Sequence, residues 1–373
     1  MSGEFSSLLV QEIGEQGLLE RLQRFCPKDI VGDDAAVLPF PDSGQSLVVT
    51  TDVLVDGVHF SDRTTSPEDV GWRAAAANLS DLAAMGASPL GITVGLSIRS
   101  ETSVSWVERV YQGLTDCLQE YNTEIVGGDV VRSPVVSLAI TAFGQVSPSR
   151  IIRRHAAKAG DAIVVTGVHG ASRAGLELLL KPELGENLSE QERSRLIQAH
   201  QRPKPRLDVL PTLWEILNSQ SLPPLTHQEQ QSLFIFPPYQ GETEGGQGGE
   251  PKSKIHVAGM DSSDGLADAI VQICRASGVG ATVERTSIPL PSDLSKLVSP
   301  QQAIEWALYG GEDFELVLCL PLEQAKAFVN QLRDGAAIIG KITSHNQVWL
   351  TDTTGAYAEE VLTQNRGFQH FFH

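Results

Sequence analysis

Aspartate residues recur in this sequence beside glycine or hydroxyl residues, directly after apolar stretches. The clusters that share this feature are Gly32-Asp33-Asp34, Thr50-Thr51-Asp52, Asn78-Leu79-Ser80-Asp81, Gly127-Gly128-Asp129, Asp261-Ser262-Ser263-Asp264-Gly265 and Gly310-Gly311-Glu312-Asp313. A carboxylate at the end of a buried strand is held on a rigid element and points into the crevice beyond the sheet edge. Several carboxylates that converge there repel one another unless cations lie between them. The pattern favours Mg²⁺, which prefers hard oxygen ligands and shares its coordination shell with phosphates.

Each cluster also has an ordinary structural interpretation. Gly-Asp and Asp-Gly pairs are common in turns, so any one cluster alone is better explained as a turn. Asp81 is harder to explain in this way, because it follows Ala74-Ala75-Ala76-Ala77 in a stretch of small apolar residues that indicates close packing. The alternative for Asp81 is a position on a solvated helix face. The six clusters together favour a site for cations and phosphates.

Two other side chains are candidates for contact with a ligand. His59 precedes Phe60 and could stack on a ligand or hydrogen-bond to it, although a partly buried structural histidine is the commoner case. Arg154 follows Arg153 and could meet a phosphate through charge-assisted hydrogen bonds. Exposed arginine pairs are common, so this second signal carries weight only alongside others.

Two glycine-containing stretches resemble phosphate-binding loops. Residues 335–341 match most of a P-loop, but Ile342 stands where serine or threonine must meet Mg²⁺, and the apolar spacer predicts a strand. Residues 167–175 follow a predicted strand and begin a helix, so their amides could bind an anion. This second stretch lacks the glycine spacing of a dinucleotide motif, and an ordinary strand-to-helix turn explains it at least as well.

The elements that must position these side chains alternate between strands and helices in both halves of the chain, so we predict an α/β or α+β fold. We predict strands over residues 47–52, 92–98, 124–126, 135–146, 162–166, 281–284 and 314–320, and shorter ones near 336–342 and 347–350. We predict helices over residues 7–26, 67–85, 104–121, 171–180, 266–277, 302–308 and 322–332.

The chain of 373 residues is long enough for two domains. A turn at Ser147-Pro148-Ser149 follows a predicted strand, so we place the boundary near residue 150 and predict domains over 1–150 and 151–373. Residues 219–254 are rich in proline, glycine and glutamine, and they predict a flexible insertion without chemistry.

Composition excludes several classes of protein. The chain has 46 acidic and 28 basic residues and a net charge of −18, and so acidic a surface repels nucleic acid and anionic lipid headgroups. Its four cysteines are scattered, which excludes a disulfide scaffold and a cysteine-rich zinc site and favours a reducing compartment. The N-terminus lacks a signal-peptide pattern, and no apolar stretch approaches the roughly 20 residues of a membrane span. We therefore expect a cytoplasmic protein without nucleic-acid or membrane partners.

Taken in order, these stretches resemble the thiamine-monophosphate kinases, a family in the superfamily of aminoimidazole ribonucleotide synthetase and selenophosphate synthetase. The matching stretches are GEF near the start, GDDAAVL, TTDVLVDGVHF, NLSDLAAMGASP, GGD, RRHAAKAGD, VTG, HQRPKPR, DSSDGL, GGEDFEL and the terminal RGFQHF. They span nearly the whole chain apart from the insertion. No single stretch is specific, but their order and spacing together are.

The resemblance implies a two-domain fold like that of aminoimidazole ribonucleotide synthetase. The N-terminal α/β domain would bind ATP and Mg²⁺, and its sheet would pair with that of a second subunit in a homodimer. The C-terminal α/β domain would complete the site. The implied reaction is direct in-line transfer of the ATP γ-phosphate to thiamine monophosphate, which gives thiamine diphosphate in the final step of its biosynthesis. Several Mg²⁺ ions would assist, and no side chain would act as a covalent nucleophile.

Carried over position by position, the resemblance also implies roles for individual residues. It assigns Mg²⁺ binding to Asp34, Thr50, Thr51, Asp52, Asp81, Asp129, Asp261 and Asp264. It assigns ATP contacts to Gly128, Asp129, Arg154 and Ser263. It assigns contacts with the thiamine compound to His59, Glu312 and Phe368. Ser262 departs from the family pattern, in which an apolar residue is common at that position.

Three alternatives compete with this assignment. Aminoimidazole ribonucleotide synthetase would use a similar cation cluster, but His59-Phe60 and Gly367-Phe368 favour a flat heterocyclic substrate. Selenophosphate synthetase would need an N-terminal cysteine in a glycine-rich loop, whereas Cys26 here precedes Pro27-Lys28. A non-catalytic regulator that binds Mg²⁺ or nucleotide would be free to lose a cation ligand, and none is missing.

Overall fold

The computed structural model of the chain describes residues 36–39, 44–219, 257–332 and 335–367. The strands in these ranges are β1 (Ala36–Pro39), β2 (Ser46–Val55), β3 (Ser88–Ile98), β4 (Ile125–Arg132), β5 (Ser137–Val146), β6 (Ala162–Val165), β7 (Ala258–Asp261), β8 (Gly280–Glu284), β9 (Leu316–Leu320), β10 (Ala337–Thr343), β11 (Val348–Thr351) and β12 (Glu360–Val361). The α-helices in these ranges are α1 (Pro67–Ala84), α2 (Val104–Glu120), α3 (Ala171–Leu180), α4 (Glu190–Gln201), α5 (Leu210–Ser219), α6 (Leu266–Ser277), α7 (Pro300–Tyr309) and α8 (Leu322–Leu332). The predicted helix over 7–26 and residues 220–254 of the predicted insertion lie outside them.

The first half of the chain forms a five-stranded sheet in the order β1-β2-β5-β3-β4. β3 and β4 run parallel, and the other neighbouring strands run antiparallel. Every second residue of β5, including Leu138, Ile140 and Ala142, is buried, because side chains alternate between the two faces of a strand. These residues share a core with Ala75 and Leu79 of α1, so α1 covers this face of the sheet.

Helix α1 crosses α2 at very short range. An added Cβ at Gly71 would lie 1.9 Å from the Val110 carbonyl oxygen, and one at Gly113 would lie 1.8 Å from that of Glu68. Real side chains cannot approach backbone atoms so closely, so the crossing requires glycine at both positions. The small residues of α1 therefore serve close packing, as the sequence predicted.

The second half forms a seven-stranded sheet in the order β12-β11-β8-β10-β6-β9-β7. β8 and β11 are parallel, and the other pairs are antiparallel. Ile163 of β6 packs in a core with Ile270 of α6, whereas the next residue, Val164, packs with Trp214 of α5 and Phe328 of α8. Helices therefore cover both faces of this sheet, and the predicted mixture of strands and helices in both halves is confirmed.

The two halves share a hydrophobic cluster. Ala83 and Ala84, at the end of α1, pack with Ile152 and Trp214 from the second half. Helix α1 is therefore buried by its own sheet on one side and by the second half on the other. Among the described residues, no helix combines the length and apolar character that crossing a bilayer requires.

Three local predictions differ from the structure. The strand predicted to begin at residue 314 begins at Leu316, because Phe314 has a φ of +52°, which breaks an extended strand. Gly127-Gly128-Asp129 was expected to follow a strand but lies inside β4, on the exposed edge of the first sheet. The strand predicted over 47–52 continues to Val55, so Asp52 lies within β2 rather than at its end.

Two helices were not predicted, although the sequence of one carries a signal for a helix N-terminus. Helix α4 begins with a capping box, in which the Ser189 side chain accepts from the Glu192 amide and the Glu192 carboxylate accepts from the Ser189 amide. Helix α5 ends at Ser219, where the predicted insertion was placed to begin.

Candidate active site

A cavity of about 720 Å³ opens where the first half of the chain meets the second. Its charged and polar lining includes Asp52, His59, Arg73, Asp81, Arg173, His200, Asp261, Ser263, Asp264 and Glu312. Seven of the residues proposed from the sequence therefore lie around one space: Asp52, His59, Asp81, Asp261, Ser263, Asp264 and Glu312.

Helix α1 supplies one wall of the cavity. The Ser66 side chain accepts a hydrogen bond from the Asp69 amide, and Pro67 occupies the first turn, so local signals define where the helix starts. Arg73 and Asp81 both line the cavity, eight residues apart and so on the same helix face. Asp81 lies in the last turn, where the helix dipole disfavours a carboxylate. Its position is therefore not explained by helix stability.

Asp52 and Asp81 form part of an acidic end of the cavity. Asp81 accepts a hydrogen bond from the hydroxyl of Thr50, and the Asp52 amide donates to the Asn78 side chain at 3.1 Å. Burial and the nearby negative charge of Asp261 raise the pKa of Asp52 to about 6. A carboxylate whose charged form is disfavoured in this way is stabilised by a cation placed beside it.

Asp261 is the last residue of β7 and is almost fully buried. Its carboxylate accepts from the Ser80 hydroxyl at 2.6 Å and from the Ser263 hydroxyl at 2.7 Å. The chain then turns through Gly265, which has a φ of +114°, into α6. The Ser80 contact joins α1 to the second half at the acidic end.

The donor set at the acidic end fits Mg²⁺ that arrives with a phosphorylated ligand. In the described part of the chain, no three His, Cys, Asp or Glu side chains form a ready-made metal site. Mg²⁺ does not require one, since it keeps several waters and is commonly held by one or two carboxylates together with substrate phosphates. Asp52, Asp81, Asp261 and Asp264 offer the hard oxygen ligands for such an arrangement.

Gly310, Gly311, Glu312 and Phe314 line the cavity from a loop with an unusual backbone conformation. Gly311, Glu312 and Phe314 all have positive φ values, of +67°, +59° and +52°. Such values are rare for residues with a Cβ and concentrate at functional sites. The Glu312 amide donates to the Ser263 carbonyl at 2.7 Å, which ties this loop to the acidic end.

The Glu312 carboxylate has two partners from distant parts of the chain. It forms an ion pair with the buried guanidinium of Arg73, and its other oxygen lies 3.6 Å from Nδ1 of His200. Burial, and next the charge of Arg73, lower the pKa of His200 to about 4, so its ring is neutral near pH 7. Arg73 thus places a full positive charge beside Glu312, whereas His200 does not.

His59 is oriented by its own turn. The Val55 amide donates to Nδ1 of His59 at 3.0 Å, so the neutral ring carries its proton on Nε2. Apolar side chains line the same cavity, among them Leu54, Val58, Phe60, Leu176, Leu180 and Phe314. The site therefore combines acidic, cationic and apolar surfaces.

The structure does not bring every proposed residue to the cavity. Gly128 and Asp129 lie on the exposed edge strand β4, and the Thr51 hydroxyl lies 2.8 Å from that of Thr141 on an exposed face. Arg154 donates to the Gln272 side chain at 2.6 Å. The Thr50 hydroxyl donates to Asp81, which lines the cavity, and Asp34 and Phe368 lie outside the described residues. The roles predicted for these residues remain predictions.

The sequence reasoning missed several residues that line the cavity, among them Arg73, Arg173, His200 and Phe314. Arg73 carried a signal, because it is the one basic residue in the apolar run from Val70 to Leu79. His200 belongs to the HQRPKPR stretch, which matches the family pattern but predicts no role by itself. Phe314 lies where the sequence predicts a strand.

Two family models match the chain. The N-terminal domain of AIR synthase related proteins matches residues 32–146, and the C-terminal domain of the same proteins matches residues 247–352. The matches cover the parts of the chain that supply α1, β2 and β7 to the cavity.

Relatives that match most of the chain share a single name. The chain is 50% identical to the thiamine-monophosphate kinase of Synechococcus elongatus, over 97% of this chain and 98% of that protein. It is 35% identical to that of Escherichia coli, over 78% of this chain and 76% of that protein. A solved structure described as AaThiL complexed with AMPPCP and TMP covers 98% of this chain and 100% of its own, at a TM-score of 0.74 and 28% identity. This chain, with its two-domain fold, therefore belongs to the thiamine-monophosphate kinase family.

Proposed function

We propose that this protein transfers the γ-phosphate of ATP directly to the phosphate of thiamine monophosphate and so forms thiamine diphosphate and ADP. The observation that carries this proposal is the cavity itself, which is lined by several aspartates, by the Arg73–Glu312 ion pair and by apolar side chains. Such a cavity suits a substrate with a phosphate at one end and a flat organic group at the other. The relatives' names supply the identity of that substrate.

Asp52, Asp81, Asp261 and Asp264 would hold Mg²⁺, and they would reject both phosphorylated substrates without it. Bound Mg²⁺ would neutralise the negative charge of the phosphates and stabilise the charge that develops in the transition state. The attacking phosphate oxygen is already deprotonated at neutral pH, so no side chain need act as a general base. The chain's own task is to place the two substrates in line.

Other parts of the chain would bind the substrates. His59 and Glu312 are proposed to contact the thiamine compound, together with Phe368. Ser263 is proposed to contact ATP, together with Gly128, Asp129 and Arg154. Asp34, Thr50 and Thr51 are proposed as additional Mg²⁺ contacts, as is Asp129. For Glu312, the support is its fixed carboxylate on the cavity wall.

We also propose a cytoplasmic homodimer with domains over 1–150 and 151–373. The exposed edge strand β4 supports the dimer, because Val126, Val130 and Val131 are 61%, 57% and 49% exposed. Separate hydrophobic clusters in the two halves support the domain boundary. Cys117, Cys274 and Cys319 are free and buried, which is compatible with a reducing compartment.

One assay tests the reaction. Purified protein is mixed with ATP, Mg²⁺ and thiamine monophosphate, and ADP and thiamine diphosphate are quantified beside a reaction that contains EDTA. We expect both products in equal amounts and only with Mg²⁺. A folded, ATP-binding protein that forms neither product would contradict the proposal, and formylglycinamidine ribonucleotide would then be the next substrate to test.

A further inference from the structure

Contacts of both the backbone and the side chain determine the position of the Glu312 carboxylate. The φ of Glu312, +59°, is strained for a residue with a Cβ, and its amide is bonded to the Ser263 carbonyl. Its side chain, 34% exposed, reaches back from the cavity to Arg73. A strained backbone persists only where surrounding contacts hold it, and here the side-chain contact comes from the other half of the chain.

The burial and hydrogen bonds of Arg73 suit it to hold the Glu312 carboxylate. Its side chain is only 3% exposed, one Nη donates to the His200 carbonyl, and the other pairs with Glu312. Its Nε is buried without a hydrogen-bond partner. Burying a guanidinium is costly unless a counter-charge is near. Because it is buried, Arg73 acts on a ligand through Glu312 more readily than by direct contact.

The segment that follows α4 holds Arg73 in place. Arg202 binds Asp69 at 2.6 Å and lies over the Trp72 ring, and the Trp72 indole donates to the Pro203 carbonyl at 2.8 Å. The HQRPKPR stretch, which contains Arg202 and Pro203, therefore packs along the start of α1. It supplies the His200 carbonyl that orients the Arg73 guanidinium.

We propose that Arg73 is a positioning residue, which fixes the Glu312 carboxylate so that it recognises the organic, non-phosphate end of the substrate. Arg73 and Asp81 are eight residues apart on α1, about 12 Å along the helix axis. This spacing separates the Arg73 side of the helix face from Asp81, near which phosphate would be transferred. The inference rests on the proposed function, because it assumes a substrate with these two ends.

Steady-state kinetics of Arg73→Gln test the role. We expect the KM for thiamine monophosphate to rise about 10- to 100-fold, since a misplaced carboxylate loses a charged contact with the substrate. The KM for ATP should stay near that of the wild type. Glu312→Gln should have the same effect, and the double variant should be no worse than either single one. Arg73→Lys, which keeps the charge, should restore part of the affinity.

Arg109→Gln is the matched control, because it also removes an arginine that binds α1, through Glu68 and away from the cavity. It should leave the KM for thiamine monophosphate unchanged. If Arg73→Gln does not fold, Arg73→Lys and Glu312→Gln decide the matter: both should raise that KM, Arg73→Lys by the smaller factor.

The two possible failures are distinguishable. A wild-type protein that forms no thiamine diphosphate overturns the proposed function. An active wild type with a folded Arg73→Gln variant of unchanged KM for thiamine monophosphate overturns only the role of Arg73. Equal loss for both substrates would also overturn it, because that outcome indicates a general structural effect.

Discussion

Ser80 and Asp261, which are 181 residues apart in the sequence, are joined by a hydrogen bond of 2.6 Å in which the Ser80 hydroxyl donates to the carboxylate. Both residues are almost completely buried. The bond connects the last turns of α1 with the end of β7, so it holds aspartates from both halves of the chain at one end of the cavity.

Ser80→Ala should lower the free energy of unfolding by about 1–3 kcal/mol, because a buried carboxylate loses a charge-assisted donor. Urea denaturation measures the loss. Ser105→Ala, which removes an exposed hydroxyl from α2, should change the value by less than about 0.5 kcal/mol. If the two variants were equally stable, the contact between the halves would have no net effect on stability.

Asp81→Asn should abolish most phosphoryl transfer, by about a hundredfold or more, while the protein remains folded. An amide oxygen can still accept from the Thr50 hydroxyl, but it lacks the charge that favours Mg²⁺. Formation of thiamine diphosphate and the melting temperature should be measured together. Asp69→Asn, on the same helix but bonded to Ser66 and Arg202, should lower stability and retain transfer. Wild-type turnover in Asp81→Asn would exclude Asp81 as a cation ligand.

Acid should destabilise the protein through its buried histidines. Burial lowers the pKa of His169 to about 4, whereas an unfolded histidine has a pKa of about 6.5. Between these values the unfolded chain takes up a proton that the folded chain does not, so stability present above pH 6.5 is lost as the pH falls towards 4. The loss for His169 is on the order of 2–3 kcal/mol.

His169→Gln should reduce this dependence. The His169 ring bonds the Gly167 carbonyl through Nδ1, which must carry the proton, and the Ser262 hydroxyl through Nε2 at 3.1 Å. Unfolding free energies from pH 7 to pH 5 should fall less steeply in the variant than in the wild type. The comparison isolates His169 from Asp52, whose raised pKa acts in the opposite direction. Parallel pH curves would show that His169 does not cause the acid sensitivity.

Replacing residues 221–254 with a short glycine-serine linker should leave turnover close to that of the wild type. The sequence there predicts no packed core and no chemistry. The linker keeps α5 intact, since Leu213 and Trp214 belong to a buried cluster. Thiamine diphosphate formation is the measurement. A large loss of turnover in a folded variant would show that the segment takes part in catalysis.

Local signals in the sequence were sufficient to predict most of the helices and strands. Helix α1 was predicted over 67–85 from Ser66-Pro67 and Gly86, and it spans Pro67–Ala84. The apolar stretch before Lys341 was predicted as a strand rather than a P-loop, and it forms β10. Such features depend on side-chain patterns within one element, and these can be recognised without knowing what the element packs against.

The misplaced predictions arose where tertiary contacts override local preference. Glycine and aspartate favour turns, yet Gly127-Gly128-Asp129 forms an edge strand because β3 supplies its hydrogen-bond partners. The backbone at Glu312 and Phe314 is left-handed although neither residue favours that conformation.

The sequence by itself determined the family, the kinds of element and most of the side chains with suitable chemistry. Only the tertiary structure decided which of these side chains lie together in the cavity. Arg73 and Glu312 are 239 residues apart, and their pairing depends on how α1 packs between the two halves of the chain. Contacts of this range arise from the mutual burial of whole elements, and no local pattern records them.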